Sequence, residues 1–374
     1  MNWRLPLSDV KVSEEDVEAV LECYRGGWLS MGPRIHKFEQ AFAEAVGAPT
    51  AIAVSSGTAA LHLSLLAAGV GPGDEVILPA LTFVAAAHAV RACGGTPVLC
   101  DSIGPQDFNM DPADVATHIT PATKVILATH WNGYVCDVDA LQRLADEHGL
   151  LLIEDAAQAI LARAPDGRSA GMLSSAGCFS LFSKKQLCVG EGGMVTTADE
   201  ALAAKVRSLR SHAMTSVTWD RHRGHAESYD IVDVGFNYRM DEPRAALGLS
   251  RLPRLVADIE NRRAQVRAYR AGLADLDGVT VPWDDDAAER SSHFVFAALF
   301  ADRDARDAVR ATLTEAGLQT TWYPAITMFS EYASVGSRPR AEDISTRHLA
   351  LPLASSYTLD DVALVVRTVR DALA

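Results

Sequence analysis

The chain has 374 residues, of which 48% are hydrophobic and 22% are charged, and its formal net charge at pH 7 is −14. Because a single hydrophobic core rarely serves a chain of this length, we expect a globular protein with two subdomains. The negative charge disfavours binding to nucleic acid or to an anionic membrane surface, although it is compatible with a local arginine pocket for a phosphate.

The spacing of cysteines and histidines does not suggest a disulfide framework or a metal site. The six cysteines are scattered without a CxxC pair and are expected to be reduced and mostly buried. His222 and His225 form an HxxH pattern, but cysteine or carboxylate partners at ligand spacing are missing. The sequence also lacks a run of ~18 apolar residues and the apolar core of a signal peptide, so we expect a cytoplasmic protein without a membrane span.

Seven short apolar runs alternate with helical patterns between residues 50 and 200 and predict the strands of an α/β sheet. They are Ala51–Val54, Glu75–Leu78, Thr96–Cys100, Lys124–Ala128, Leu150–Ile153, Gly177–Leu181 and Gly193–Thr197. Strands that are apolar throughout and separated by helices indicate a mostly parallel sheet covered on both faces. A helix is predicted over Thr58–Ala68, and the glycines of 69–73 end it. Because those glycines follow a helix, they do not match a dinucleotide fingerprint.

The pattern changes after about residue 240. An Arg- and Ala-rich helix pattern runs from Pro243 to near Leu276 and precedes a strand over His293–Phe300. Helices over Asp302–Ala316 and Asp360–Ala374 follow, which indicates a smaller α+β domain. We therefore expect a large α/β domain over residues 1–245 and a small α+β domain over residues 246–374. About the first 25 residues can pack with the small domain.

Two adjacent lysines, Lys184 and Lys185, lie in the weakly charged stretch 178–194 of a chain that has only four other lysines. A lysine amine in a partly apolar pocket can lose its proton and attack a carbonyl, whereas arginine stays protonated. The pattern therefore favours Schiff-base chemistry. The alternative is an ordinary lysine pair on an exposed loop.

An acidic residue, Asp155, directly follows the predicted strand Leu150–Ile153 in the sequence Glu154–Gln158. Ligands of open α/β sheets gather beyond the carboxyl ends of parallel strands, so Asp155 lies where a site should form. Asp is also a favoured N-cap of a helix, and the two interpretations do not exclude each other.

Small polar residues in Ser55–Thr58 connect a predicted strand to a helix. The N–H groups and the dipole at the start of a helix bind phosphate well, although Ser and Thr are also ordinary caps. Phe83 follows the second strand and could stack on a planar ring, while aromatic burial tendencies alone favour the core. An aldehyde-capturing lysine, a carboxylate for a pyridinium nitrogen, a phosphate cradle and an aromatic wall are the groups that pyridoxal phosphate requires.

Over essentially its whole length, the chain resembles the DegT/StrS-type sugar aminotransferases. They belong to the fold type I superfamily of pyridoxal phosphate enzymes, which includes aspartate aminotransferase. In that family the cofactor-binding lysine comes five residues after the Ser of a Phe-Ser pair and commonly five before Gly-Glu-Gly-Gly, and both counts select Lys185. The matching segments are Gly27–Pro33, Ser55–Ala59, Glu154–Gln158, Phe179–Ser180, Gly190–Gly193, Gly235–Met240 and Ala245–Gly248.

The resemblance implies a role for each matching residue. Lys185 would carry the cofactor and Asp155 would pair with its ring nitrogen, which makes these two the catalytic residues. Phe83 would stack on the cofactor ring, and Gly57, Thr58 and Ser180 would bind its phosphate. Gln158 would contact the side of the ring that carries the phenolic oxygen. Asn237 would complete the site of the neighbouring subunit. That last contact implies a homodimer.

The implied activity is transfer of an amino group from glutamate or glutamine to a keto-sugar, most simply a nucleotide-linked one, in the biosynthesis of amino sugars, antibiotics or surface polysaccharides. Some family members have histidine in place of the lysine and dehydrate their substrates, so Lys185 favours amination. Two departures concern the substrate: Ala159–Leu161 replaces the common Ala-His-Gly, and His130–Tyr134 replaces a more usual His-Leu-Tyr-Gly.

Two alternatives remain open at this point. The first is an aminotransferase for a keto-cyclitol or for a sugar without a nucleotide. The second is a cofactor-binding regulator without turnover, which the joint presence of Lys185, Asp155 and Gln158 and the absence of an additional DNA-binding segment disfavour.

Overall fold

The computed structural model describes residues 3–216, 219, 222, 224 and 228–374. Its α-helices are α1 (Glu14–Gly26), α2 (Pro33–Val46), α3 (Gly57–Ala67), α4 (Ala85–Ala92), α5 (Pro112–Thr117), α6 (Val138–His148), α7 (Glu200–Leu209), α8 (Glu242–Arg251), α9 (Leu255–Leu273), α10 (Asp285–Arg290), α11 (Arg303–Glu315), α12 (Pro339–Arg347) and α13 (Leu359–Leu373). Its strands are β1 (Thr50–Val54), β2 (Glu75–Pro79), β3 (Thr96–Cys100), β4 (Ser102–Gly104), β5 (Asp107–Met110), β6 (Thr123–Thr129), β7 (Leu151–Asp155), β8 (Ala176–Ser180), β9 (Gly193–Thr197), β10 (Val279–Thr280), β11 (Phe296–Phe300) and β12 (His348–Leu351).

The central sheet has seven strands in the order β1-β9-β8-β7-β6-β2-β3. Strand β9 runs antiparallel to β1 and β8, and the remaining pairs are parallel. The predicted mostly parallel sheet is therefore confirmed, and each of the seven predicted runs contributes one strand to it. Strands β4 and β5 form a separate antiparallel hairpin.

Alternate residues of β1 show that both faces of the sheet are buried. Ile52 and Val54 join an apolar cluster that contains Leu63 of α3. Ala51 and Ala53 join a different cluster, which contains Phe38 and Phe42 of α2. Because successive strand side chains point to opposite faces, this division is what a sheet between two helical layers requires.

The C-terminal part of the chain forms a three-stranded antiparallel sheet in the order β10-β11-β12, with α9, α11 and α13 packed beside it. The N-terminal residues reach this region. Leu5 forms a parallel bridge with Leu318, and Leu7 packs in a small cluster with Val295 and Ala350.

The prediction of one continuous helix over 243–276 is wrong, because the helix is interrupted within that range. Helix α8 ends at Arg251, a 3-10 turn occupies Leu252–Arg254, and α9 begins at Leu255. Pro253 explains the interruption, since proline has no N–H to donate and its ring clashes with the preceding turn.

Asp16 of α1 connects the N-terminal helix to α8 and α9. Its side chain is fully buried and accepts hydrogen bonds from Ser250 Oγ at 2.7 Å, Arg251 Nε at 3.0 Å and Arg254 Nη2 at 2.7 Å. Burial alone would raise the pKa of this carboxyl, but the hydrogen bonds from Ser250 and Arg254 outweigh burial and hold the pKa below its ordinary value. The carboxylate is therefore the ionised partner of a buried guanidinium.

Within the described ranges, no helix is both long enough and apolar enough to cross a membrane. All six cysteines are buried and none of them is disulfide-bonded.

We predict that Asp16→Ala lowers the free energy of unfolding by about 3 kcal/mol, because it leaves Arg251 buried without its carboxylate. Urea denaturation of the two proteins measures the difference. The matched control is Glu18→Ala, which removes the exposed ion pair with Arg25 in the same helix and should cost less than about 1 kcal/mol. Equal losses in the two variants would contradict the central role of Asp16.

The sign of the pH dependence follows from the lowered pKa of Asp16. Its contribution to stability is complete above the ordinary aspartate pKa of 3.8 and is lost as the pH falls through the lower pKa of the folded state. The stability difference between wild type and Asp16→Ala should therefore be constant near neutral pH and shrink only in strong acid.

Candidate active site

The candidate site lies where β7, β8 and the start of α3 meet. Asp155 is the last residue of β7, and Ser180 is the last residue of the neighbouring β8. A Cβ atom on Gly57, the first residue of α3, would lie only 2.8 Å from Ser180 Cβ. The helix N-terminus and the strand end are therefore in direct contact, which only glycine allows.

The N-terminus of α3 has the features of an anion cradle. Ser56 Oγ accepts a hydrogen bond from Ala59 N at 3.1 Å, so Ser56 caps the helix. A Cβ atom on Gly193 would lie 2.3 Å from Ser56 O, so β9 also approaches this loop closely. Gly57 is partly accessible and Thr58 is exposed. Since the first N–H groups of a helix lack acceptors within the helix, this small-residue cradle suits a phosphate.

Lys185 lies on the loop between β8 and β9, and the structure distinguishes it from Lys184. Its Nζ atom lies 4.1 Å from the centre of the Phe294 ring. Burial lowers the pKa of Lys185 to about 8, although the nearby Asp155 carboxylate opposes the shift. The side chain of Lys184 is exposed. Burial therefore makes the uncharged form of the Lys185 amine, which a nucleophile requires, more accessible near neutral pH than it is for an exposed lysine.

Asp155 is almost completely buried, with 6% of its surface exposed. Burial raises the pKa of its carboxyl, while a hydrogen bond from Ala157 N at 3.1 Å and the charge of Lys185 oppose the rise. The hydrogen bond resembles that of an N-cap, but the chain continues in turns, so the helix-cap interpretation is wrong. A buried carboxylate of this kind is stabilised by a cationic group placed opposite it.

Gln158 connects three segments around the site. Its Oε1 atom accepts a hydrogen bond from Asn132 N at 2.7 Å, and its backbone oxygen accepts hydrogen bonds from Gln186 Nε2 at 2.8 Å and Ser292 Oγ at 3.1 Å. Asn132 has a left-handed backbone with φ of 58°. The unusual His130–Tyr134 sequence therefore contacts Gln158 directly.

Sequence reasoning missed a buried pair behind Asp155. His130 Nε2 lies 2.8 Å from Glu154 Oε2, and both side chains are fully buried. Cys136 N donates to His130 Nδ1 at 3.3 Å, so the geometry places the ring proton on Nε2. Glu154 also accepts a hydrogen bond from Gly171 N at 2.6 Å. The pair fixes the ends of β6 and β7, and only the position of Glu154 beside Asp155 hinted at it.

Phe83 is 70% exposed, so the core interpretation of this residue is wrong. Strand β2 ends at Pro79, and the loop before α4 carries the aromatic ring to the surface. Its ring is thus available to a ligand or to another subunit.

Asn237 is exposed on a segment that is fixed beside the site. The segment forms a bridge with Ser211, and Tyr238 O accepts a hydrogen bond from Ser55 N at 2.8 Å. Tyr238 Oη also lies 3.2 Å from His62 Nδ1 on α3. The residue that follows Asn237 is thereby anchored to the loop that begins the anion cradle, and Asn237 itself is exposed at the surface.

The other sequence departure, Ala159–Leu161, directly follows Gln158. Ile160 is buried, and Leu161 adopts a left-handed backbone with φ of 60°. A leucine in that conformation carries a strain of about 1 kcal/mol that glycine would not.

Among the residues that the structure describes, no three His, Cys, Asp or Glu side chains gather as metal ligands would. His225 of the HxxH pattern lies outside the described residues.

Comparison with known proteins identifies close relatives over the whole chain. The family model of the DegT/DnrJ/EryC1/StrS aminotransferase family matches residues 10–370. The chain is 36% identical to the spore coat polysaccharide biosynthesis protein SpsC of Bacillus subtilis (strain 168), over 99% of this chain and 97% of the relative. It is 43% identical to GDP-perosamine synthase of Caulobacter vibrioides over 75% and 73% of the two chains. It is 36% identical to the dTDP-4-dehydro-2,3,6-trideoxy-D-glucose 4-aminotransferase of Saccharopolyspora spinosa over 96% and 92%.

Solved structures show the same architecture. The aminotransferase TlmJ from Streptoalloteichus hindustanus matches with a TM-score of 0.91 and 34% identity, over 99% of this chain and 98% of that chain. DesI, solved in the presence of its TDP-sugar product, matches with a TM-score of 0.88 and 33% identity, over 100% and 93%. The chain therefore belongs to the DegT/DnrJ/EryC1/StrS family, and it is a pyridoxal phosphate-dependent sugar aminotransferase of fold type I.

Proposed function

We propose that this protein transfers an amino group from glutamate or glutamine to a keto-sugar that is linked to a nucleotide. The single observation that carries the transferase assignment is the placement of the Lys185 amine over the Phe294 ring and near the buried carboxylate of Asp155, at the sheet edge that also holds the anion cradle. The nucleotide is supported by relatives named for GDP- and dTDP-linked sugars.

The described residues fit the cofactor. When bound, pyridoxal phosphate provides an aldehyde that takes up amino groups and a ring that withdraws electrons from the carbon beside the nitrogen. Lys185 would hold it covalently, and Asp155 would face its ring nitrogen. The supporting contacts would come from Gly57, Thr58 and Ser180 at the phosphate, from Gln158 at the phenolic oxygen, from Phe83 on the ring face and from the partner's Asn237.

The chemistry of this chain's own groups follows from their surroundings. The Nζ atom of Lys185, once free of the cofactor, takes the proton from the α-carbon of the amino donor, and it returns a proton in the second half of the reaction. A general base works best when its pKa lies near the working pH, and burial brings Lys185 close to that condition. Asp155 stays ionised while it faces a positive charge.

We also propose a homodimer in which Asn237 completes the site of the neighbouring subunit. The support is an exposed apolar stretch immediately before Asn237: Ile231, Val232 and Val234 are 51%, 63% and 81% exposed. Three exposed aliphatic side chains in four residues are typical of a surface that another chain covers. The fixed backbone around Tyr238 would hold Asn237 in place for that contact.

We also propose that the chain consists of a large α/β domain over residues 1–245 and a small α+β domain over residues 246–374. This boundary falls inside α8, which packs against α1 and α2.

We predict that Lys185→Ala abolishes the visible absorbance of the bound cofactor, whereas Lys184→Ala retains it. The Lys185 amine lies over the Phe294 ring and is desolvated by burial, whereas Lys184 is exposed, so the neighbouring lysine is the matched control. Borohydride reduction followed by peptide mass spectrometry locates the modified lysine independently of turnover. A cofactor adduct on Lys184 in the wild-type protein would overturn the assignment.

The substrate is tested with the enzyme in its pyridoxamine form. Keto-sugars with a nucleotide, the same sugars without one and keto-cyclitols are compared for the rate at which they restore the pyridoxal absorbance. We predict that the nucleotide-linked sugars react at least about tenfold faster, because binding energy from the remote nucleotide can be used at the reacting carbon. Equal or faster reaction of a keto-cyclitol would contradict the proposed substrate class.

The shared site is tested by mixing inactive subunits of Lys185→Ala and Asn237→Ala. If Asn237 acts across the interface, each mixed dimer contains one site with both residues intact, and random mixing should restore about a quarter of wild-type activity. If Asn237 acts within its own chain, the mixture stays as inactive as its components. Size-exclusion chromatography with light scattering confirms that the subunits have exchanged.

A further inference from the structure

One short segment of the C-terminal part, Ser292–Phe294, covers the lysine loop. The Phe294 ring lies over Lys185 Nζ at 4.1 Å. The next residue of the loop, Gln186, donates from Nε2 to Ser292 Oγ at 3.2 Å and to Ser292 O at 3.3 Å. Two consecutive residues of the loop are thus contacted by the same segment, so its position determines where the amine lies.

Contacts from the large sheet hold this segment from one side. Ser292 is fully buried, and Phe294 N donates to Asn132 O at 3.2 Å. Val295 N donates to Asn132 Oδ1 at 2.7 Å. A Cβ atom on Gly133 would lie 2.9 Å from His293 N, so the two backbones meet without space for a larger residue.

Arg262 of α9 holds the segment from the other side. Its guanidinium is 3% exposed, and Nη1 donates to His293 O at 3.3 Å, to Phe294 O at 3.4 Å and to Leu353 O at 3.3 Å. Because these carbonyls belong to two parts of the chain, Arg262 connects the segment both to α9 and to Leu353.

The backbone between the two contact residues is strained. His293 has φ of 49°, in the left-handed region that a residue with a Cβ atom rarely adopts, and it is 1% exposed. Burial lowers the pKa of its imidazole to about 3, so the ring is neutral, and Nε2 lies 2.9 Å from Ala288 O. Strain of this kind persists only where the surroundings impose it, and it concentrates at functional sites.

We propose that Phe294 is a positioning residue for the Lys185 amine, and that the strained Ser292–Phe294 segment holds its ring there. The inference rests on the proposed role of Lys185. The ring has two opposing effects: it excludes water, which favours the neutral amine, and its face attracts the ammonium form. The charged groups around the amine are Asp155 at the end of β7, which favours the ammonium form, and the exposed neighbour Lys184.

These opposing effects give a test that a purely structural role would not satisfy. Phe294→Leu keeps water out but removes the aromatic face, so the pKa of the Lys185 amine should fall by about half a unit. Phe294→Ala admits water, so the pKa should rise towards the ordinary lysine value of 10.5. Shifts in opposite directions are the expected result.

The amine is titrated in two ways. The first is the pH dependence of the rate at which the apoenzyme captures pyridoxal phosphate, followed by visible absorbance. The second is a nuclear magnetic resonance titration of the reductively methylated lysines in the apoenzyme, with the Lys185 signal assigned by its loss in Lys185→Arg.

The matched control is Phe296→Leu, two residues further along the chain, where the ring stacks on Tyr269 with centres 4.5 Å apart and does not cover the lysine. This variant should leave the titration unchanged. Unchanged titrations in both Phe294 variants, shifts in the same direction, or an equal shift in Phe296→Leu would overturn the proposal. A failure of the proposed function shows itself differently, as the absence of a cofactor adduct on Lys185 in the wild-type protein.

Discussion

Two opposing effects set the pKa of the Lys185 amine: burial lowers it, and the charge of the Asp155 carboxylate raises it. Burial outweighs the carboxylate, and the rest of the site depends on this difference. The amine lies on the loop between β8 and β9, and the Phe294 ring lies over the amine. Asp155 lies at the end of β7, the strand that pairs with β8. Without burial the amine would keep the higher pKa of an exposed lysine, and in our proposal Asp155 is the group that would pair with a positively charged cofactor ring. The contacts around the site serve to keep these two groups desolvated and fixed.

The two halves of the chain meet at the site through polar groups with few alternative arrangements. Asn132 receives backbone hydrogen bonds from the C-terminal part, and it donates its own N–H to Gln158. Ser292 and Gln186 bind the Gln158 backbone in turn. Buried amides and hydroxyls of this kind lose energy if any partner moves away, so the network specifies one relative position of the lysine loop.

The single chain leaves apolar side chains exposed at places where our proposals require another molecule. Phe83 stands at the surface in the loop between β2 and α4, and the aliphatic stretch that ends at Val234 precedes Asn237. Both observations agree with the proposed arrangement, in which a bound cofactor would cover the ring and a second subunit would cover the stretch.

Local sequence determined the strands, since short apolar runs separated by helical patterns are typical of a sheet buried on both faces, and family spacing selected Lys185 over Lys184. Local sequence also indicated Asp155 as a site residue, because ligands of parallel sheets bind beyond the carboxyl ends of the strands. Only the tertiary structure decided the exposure of Phe83, the pairing of His130 with Glu154 and the placement of Phe294 over the amine. These contacts join residues that are 24 to more than 100 positions apart. Local periodicity records which face of an element is buried, but the partner on that face depends on how distant segments pack.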